Sequence, residues 1–85
     1  MPSDHLPAEV TVRYWAGARA AAGIESETVA AGTVGEVLEQ VRARHTGLAP
    51  VLAVASFLVD GIARDLTAQV PPGGTLEVLP PFAGG

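Results

Sequence analysis

Thr33-Val34-Gly35-Glu36-Val37-Leu38-Glu39-Gln40-Val41-Arg42-Ala43-Arg44-His45 is the stretch on which the fold turns. Val34, Val37, Leu38, Val41 and His45 fall at i, i+3, i+4, i+7 and i+11, one stripe of a 3.6-residue period and so one buried face of a helix. Thr33 and Glu36 have the spacing of a capping box, in which hydroxyl and carboxylate satisfy free N–H groups of the first turn. Arg42 and Arg44 close the last turn, where cations suit the helix dipole, and Gly47 stops the helix. His45 continues the stripe as a half-buried packing residue. Gly35 in the first turn costs about 1 kcal/mol relative to alanine, which points to close packing of the helix against a sheet.

Upstream, Glu9 to Trp15 alternates, with Val10, Val12 and Tyr14 on one face and Thr11, Arg13 and Trp15 on the other, as a strand does. Ala16 to Ala22 has helix-forming composition with Gly23 as its C-cap, a short helical turn. Glu25 to Ala30 reads as a second strand in a hairpin with the first. Met1 to Ala8 is a loose leader containing the stray His5.

Downstream, Leu48 to Val54 is an apolar connector with a short turn after Pro50. Ser56 to Asp60 is a strand, Asp60-Gly61 a hairpin turn, and Ile62 to Arg64 the short returning strand. Leu66 and Val70 are spaced to plug the core from a loop. Pro71-Pro72-Gly73-Gly74 turns the chain into a last strand, Thr75 to Leu79. The order is β, β, α, β, β, β, with two hairpins about one long helix and the last strand returning to the middle. This describes an α+β chain with a β-grasp fold: a mixed sheet on one long helix, spanning residues 9–79 between the leader 1–8 and an extended tail 80–85.

Composition narrows the chemistry. Eighty-five residues make one domain with a modest core. There is no cysteine, which excludes disulfides, thiolate metal sites and thiol nucleophiles. The expected compartment is the cytosol, as the sequence opens on no signal peptide and has no apolar run of spanning length. The net charge is −4, and the basic residues, Arg13, Arg19, Arg42, Arg44 and Arg64, are scattered, which argues against a nucleic-acid surface. With no lysine, the chain cannot build lysine-linked chains on itself. The two histidines make no metal site. Ser3, Ser26 and Ser56 lack a nucleophile's context, Gly73-Gly74 is turn chemistry, and Glu25, Glu27, Glu36 and Glu39 read as solvated faces.

The end of the sequence is the remaining candidate. Pro80-Pro81 holds the chain extended, Phe82 offers an apolar anchor, and Ala83-Gly84-Gly85 is slim enough to enter a narrow site in another protein. Six residues, Pro80 to Gly85, reach roughly 20 Å when extended. A carboxylate on Gly85 is a poor electrophile, but transfer of AMP from ATP would make it an acyl adenylate, from which a sulfur nucleophile displaces AMP to leave a thiocarboxylate. Adjacent glycines also arise by composition alone in a chain with 10 of them.

The segment Val12-Arg13-Tyr14-Trp15-Ala16-Gly17-Ala18-Arg19-Ala20-Ala21-Ala22-Gly23 resembles the opening of the molybdopterin synthase small subunit, whose pattern is apolar-aromatic-Ala-x-x-Arg-x-x-x-Gly. The resemblance continues through the capped Thr33 to Leu38 helix start, the Val59-Asp60-Gly61 hairpin where that family has Val-Asn-Gly, and Gly73-Gly74-Thr75-Leu76-Glu77-Val78. It ends on Leu79-Pro80-Pro81-Phe82-Ala83-Gly84-Gly85, close to the family's terminal signature. The chain departs from the pattern at Asp60 and at Gly74-Thr75, which replaces acidic turn residues and bears on contact with the activating enzyme.

The resemblance implies a ubiquitin-like sulfur carrier of the MoaD/ThiS type. An E1-like adenylyltransferase using Mg-ATP would activate Gly85, and a sulfur donor system would make the thiocarboxylate. Pro80, Pro81, Phe82, Ala83 and Gly84 would insert into the molybdopterin synthase large subunit, which holds the catalytic pocket and converts cyclic pyranopterin monophosphate to molybdopterin. The chain itself would be a carrier binding no cofactor and no metal, with no nucleic-acid or membrane partner. Trp15 and Leu79 match positions of apolar partner contact and are equally accounted for by sheet packing. Sulfur carriers for thiamine-thiazole or cysteine synthesis share the fold and the tail. A ubiquitin-like protein modifier attached through Gly85 is the reading from another class.

Overall fold

The computed structural model describes residues 8–81. Two hairpins and a helix form the body. Strand β1 (Glu9–Tyr14) pairs antiparallel with β2 (Ser26–Ala30), and helix α1 (Ala16–Ala22) fills the connection between them. A short β3 (Gly32–Thr33) leads into helix α2 (Val34–Arg44), a 3-10 turn (Thr46–Leu48) and a one-turn α3 (Ala49–Leu52). Then follow β4 (Ser56–Val59), β5 (Ile62–Ala63), β6 (Gln69–Val70) and β7 (Thr75–Leu79). The main sheet runs β2-β1-β7-β4-β5, with β1 and β7 parallel and the other neighbours antiparallel. The last strand therefore lies at the centre of a mixed sheet, as expected for a β-grasp fold.

The alternation in β1 and β7 decides which face is covered. Val10, Val12, Tyr14, Leu76 and Val78 are buried beneath α2, whose Val34, Val37, Leu38 and Val41 are buried against them. The expected capping box forms in full: the Thr33 N–H donates to Glu36 Oε1 at 2.8 Å and the Glu36 N–H to Thr33 Oγ1 at 3.1 Å. Asp60 and Gly61 both have positive φ, 48° and 84°, which is the backbone that a two-residue I′ hairpin demands. The Asp60 carboxylate then accepts the Thr75 N–H at 2.9 Å and ties this turn to the start of β7.

The apolar connector contributes to the core through Leu48, fully buried in its 3-10 turn. Several expectations need correction. Val70 is buried as expected, but Leu66 is 53% exposed. The reason is a second, two-stranded sheet of β3 and β6, in which Val70 pairs with Gly32; this pairing points Val70 inward and leaves Leu66 on the outer run of the loop. Gly35 packs on that loop and not on the sheet. Its N–H donates to the Leu66 carbonyl at 2.9 Å, and a Cβ there would stand 3.3 Å from the same oxygen.

Glu27 is the largest correction: it is not on a solvated face. Its register partner on β1 is Val12, so it lies on the covered side of the sheet, with a side chain only 11% exposed. There it accepts hydrogen bonds from the buried Tyr14 hydroxyl and from Arg44 Nη1 at 2.9 Å, and its Oε2 lies 2.7 Å from His45 Nε2. His45 is half-buried as expected, but as the C-cap of α2, set edge-on to the Tyr14 ring. Burial raises the Glu27 carboxyl, while hydrogen bonds from Tyr14, Arg44 and His45 together outweigh it and hold the group below the ordinary carboxylate value. Burial first, then the bond to Glu27, pushes the Tyr14 hydroxyl far above its ordinary value. Among the described residues no buried side-chain polar atom lacks a partner.

Candidate functional site

The root of the tail is built by the central strand. β7 is held on one side by β1 and on the other by β4, so Leu79 sits opposite Ser56 at the end of a strand that cannot peel away singly. The Trp15 N–H donates to the Val78 carbonyl at 3.2 Å and so ties the end of β7, just before the prolines, to the chain leaving β1. Leu79 and Pro80 are partly covered and Pro81 is exposed. Phe82, Ala83, Gly84 and Gly85, the expected inserted tail and its reactive end, lie outside the described residues.

Trp15 caps the N-terminus of α1 and does not extend β1. The chain turns there through Ala16, which has a φ of 47°, a backbone that an alanine adopts only under tertiary constraint. The turn leaves the indole on the uncovered face of the sheet, where its Nε1 donates to Glu77 Oε1 at 2.9 Å and the Arg13 guanidinium lies 4.7 Å from the ring centroid. Leu79 is two residues beyond Glu77 on the same strand, hence on the same face. Leu58 pairs with Glu77 in register and is partly exposed there too.

The structure thus brings the two proposed contact residues, Trp15 and Leu79, to one face beside the tail root. It adds Arg13, Glu77 and Leu58, which were not singled out from the sequence. Their signal was the alternation of β1 and β7, but only the parallel pairing of those strands, with Arg13 opposite Glu77, makes neighbours of residues more than sixty positions apart. The face is an apolar strip with one cation and one anion already aligned through an indole, a surface suited to a partner protein.

Among the described residues no group of three or more His, Asp or Glu side chains could hold a metal ion. A groove of about 400 Å³ lies between α2, α3 and β4, lined by Leu38, Leu52, Phe57 and Leu66, with Glu39 and Arg42 at its rim. Those two charges pair with each other at 2.6 Å, so none converges on the groove's interior. Glu39 is held below its ordinary value by this hydrogen bond and by the charge of Arg42. Asp65 is likewise lowered, by hydrogen bonds from its neighbour Thr67, a local turn device. No helix among the described residues is long and apolar enough to cross a membrane.

The fold is shared with small archaeal modifier protein 1 from Methanosarcina acetivorans (TM-score 0.81, 23% identity, covering 92% of this chain and 97% of that one). It is also shared with a putative molybdopterin converting factor subunit 1 from Pyrococcus furiosus (TM-score 0.78, 22% identity, 87% and 98%). A chain of the BexX/CysO complex from Amycolatopsis orientalis is 31% identical, with a TM-score of 0.71 and coverage of 89% and 99%. Comparison with curated proteins gives no match. The sequence profile of the ThiS family matches residues 12–85, from the first strand through both terminal glycines. The chain belongs to the ThiS family, the MoaD/ThiS type of ubiquitin-like sulfur carrier.

Proposed function

We propose that this chain is the small, sulfur-carrying subunit of a molybdopterin synthase. Gly85 is the residue modified. Its carboxylate attacks the α-phosphate of Mg-ATP on an E1-like adenylyltransferase, pyrophosphate leaves, and the acyl adenylate then loses AMP to a sulfur nucleophile from a donor system. The thiocarboxylate so formed donates its sulfur to cyclic pyranopterin monophosphate in the large subunit.

The chain's own residues supply position. Pro80 and Pro81 stiffen the exit from β7, Phe82 anchors the insertion, and Ala83-Gly84-Gly85 passes through a channel too narrow for any side chain larger than a methyl group. Trp15 and Leu79, with Arg13, Glu77 and Leu58, form the docking face around that exit. The observation carrying this reading is the placement of Leu79-Pro80-Pro81 at the end of the central strand, in a chain whose family match runs to Gly85. The likeness to a putative molybdopterin converting factor subunit favours this acceptor.

A second reading, a carrier for another sulfur acceptor, is favoured by the 31% identity to a chain of the BexX/CysO complex. Intact mass after incubation with ATP, an activating enzyme and a sulfur source tests the shared chemistry. A gain of about 16 Da, oxygen replaced by sulfur at the terminal acyl group, is expected, and an unchanged mass sinks both readings. Deleting Gly85, or adding one residue after it, should abolish transfer and leave the unfolding transition in place. Reconstitution with a molybdopterin synthase large subunit separates the two readings, because a loaded carrier that makes no molybdopterin there belongs to another acceptor.

A further inference from the structure

We propose that the outer edge of β2 is a strand-addition surface for a second copy of this chain, held shut by Gln40 and Arg44 of α2. The main sheet has two edges, β5 and β2. β5 has only two residues, whereas β2 has five. An unpaired row of N–H and C=O groups on a strand of that length is a template for another chain.

The outward groups of β2 follow from its bonds to the rest of the first hairpin. The Tyr14 N–H donates to the Glu25 carbonyl and the Ala31 N–H to the Ala8 carbonyl, so Glu25 and Ala31 point inward; alternation then turns Ser26, Thr28 and Ala30 outward. Two side chains of α2 occupy this row. Gln40 Oε1 accepts the Ala30 N–H at 3.1 Å while its Nε2 donates to the Ala30 carbonyl at 2.9 Å, so one amide side chain imitates a partner strand residue. Arg44 Nη1 donates to the Thr28 carbonyl at 3.2 Å and is anchored there by its ion pair with Glu27.

The sequence of the edge selects the occupant. Antiparallel pairing of β2 with itself about Thr28 sets Thr28 against Thr28, Ser26 against Ala30 and Glu27 against Val29. No like charges meet, threonine pairs are favourable across strands, and the contact is two-fold and closed. The edge is thus self-complementary once its plugs are gone.

The test uses the full chain and the variants Gln40→Ala, Gln40→Ala/Arg44→Ala, and the latter with Thr28→Pro. Alanine favours the helix at both positions. Hydrogen exchange at Ala30 and sedimentation from micromolar to millimolar concentration are measured, with circular dichroism reporting the fold. The wild type should sediment as a monomer with a protected Ala30 amide, and Gln40→Ala should exchange at Ala30 at least about tenfold faster. The double variant should dimerise, and Thr28→Pro should return it to monomer, since proline removes an outward N–H and spares the bonds to β1. A folded double variant that stays monomeric overturns the proposal, as does a dimer indifferent to Thr28→Pro or a wild type that dimerises in the same range. Should the double variant not fold, Gln40→Ala decides alone. Unchanged Ala30 exchange, or faster exchange without concentration-dependent sedimentation, refutes the proposal, and faster exchange with it supports the proposal.

Discussion

Replacing Glu27 by alanine should be the most damaging change of a charged residue in this chain. The carboxylate has three donors, and each loses differently. The Tyr14 ring is fully buried, so its hydroxyl would be left without a partner, at a cost of about 2 kcal/mol. His45, with a side chain 19% exposed, loses a contact worth about 1 kcal/mol, and Arg44, half exposed, turns to water for no more than about 0.5 kcal/mol. The sum is about 3 kcal/mol, which in a domain of this size lowers the melting temperature by roughly 12–24 °C. Urea and thermal unfolding followed by circular dichroism measure it. Tyr14→Phe removes the donor together with its need and should cost only about 1 kcal/mol. The two changes combined should cost less than their sum, with a coupling of about 1 kcal/mol. A loss below about 1 kcal/mol for Glu27→Ala, or strict additivity of the pair, would refute the view that this cluster is one satisfied network.

Acid should act through the same residue. Its carboxyl is lower in the folded chain than the ordinary value of 4.5, so the stabilisation is complete above that pH and is lost as pH falls through the folded value; the Glu27→Ala variant should lack this part of the acid transition. Thr33→Ala should cost about 1 kcal/mol of unfolding free energy by removing the acceptor for the Glu36 N–H, and Thr33→Ser should restore most of it. Leu48→Ala should cost about 3 kcal/mol, since a fully buried leucine leaves a cavity when truncated. If the proposed docking face and acceptor are right, Trp15→Ala combined with Leu79→Ser should weaken capture by a molybdopterin synthase large subunit at least about tenfold in a titration, with the thiocarboxylate mass gain unchanged.

Much of this fold is legible because local chemistry and global topology agree. Thr33 and Glu36 announce a helix start whatever surrounds them, and Asp60-Gly61 announces a hairpin, because both devices are closed within four residues. The second sheet is not legible for the opposite reason. β3 and β6 have two residues each and become strands only by meeting across more than thirty residues of chain. With no run long enough to alternate, Thr33 reads as a cap alone and Leu66 as a core plug, although the Gly35 N–H donates to the Leu66 carbonyl and that side chain is left exposed.

Glu27 shows where a sequence pattern misleads. In Glu25-Ser26-Glu27-Thr28-Val29-Ala30 a charged residue alternates onto the face of Val29, and a solvated face is the ordinary reading. That reading fails only because β1 brings a tyrosine hydroxyl, and α2 brings Arg44 and His45, to the same carboxylate. The same helix end also plugs the β2 edge through Arg44, so one arginine links the polar cluster beneath the sheet to the closure of its edge. The proposed docking face is partly legible for a related reason: Trp15 and Leu79 stand out as apolar residues near strand ends, whereas Arg13 and Glu77 look like solvent-facing alternates. What joins them is the parallel seating of β7 beside β1, and that seating also sets the tail's exit next to the indole. A change that tilts β7 would therefore move the proposed docking face and the tail root together, so in that reading the central strand, more than any one contact residue, sets the geometry for a partner.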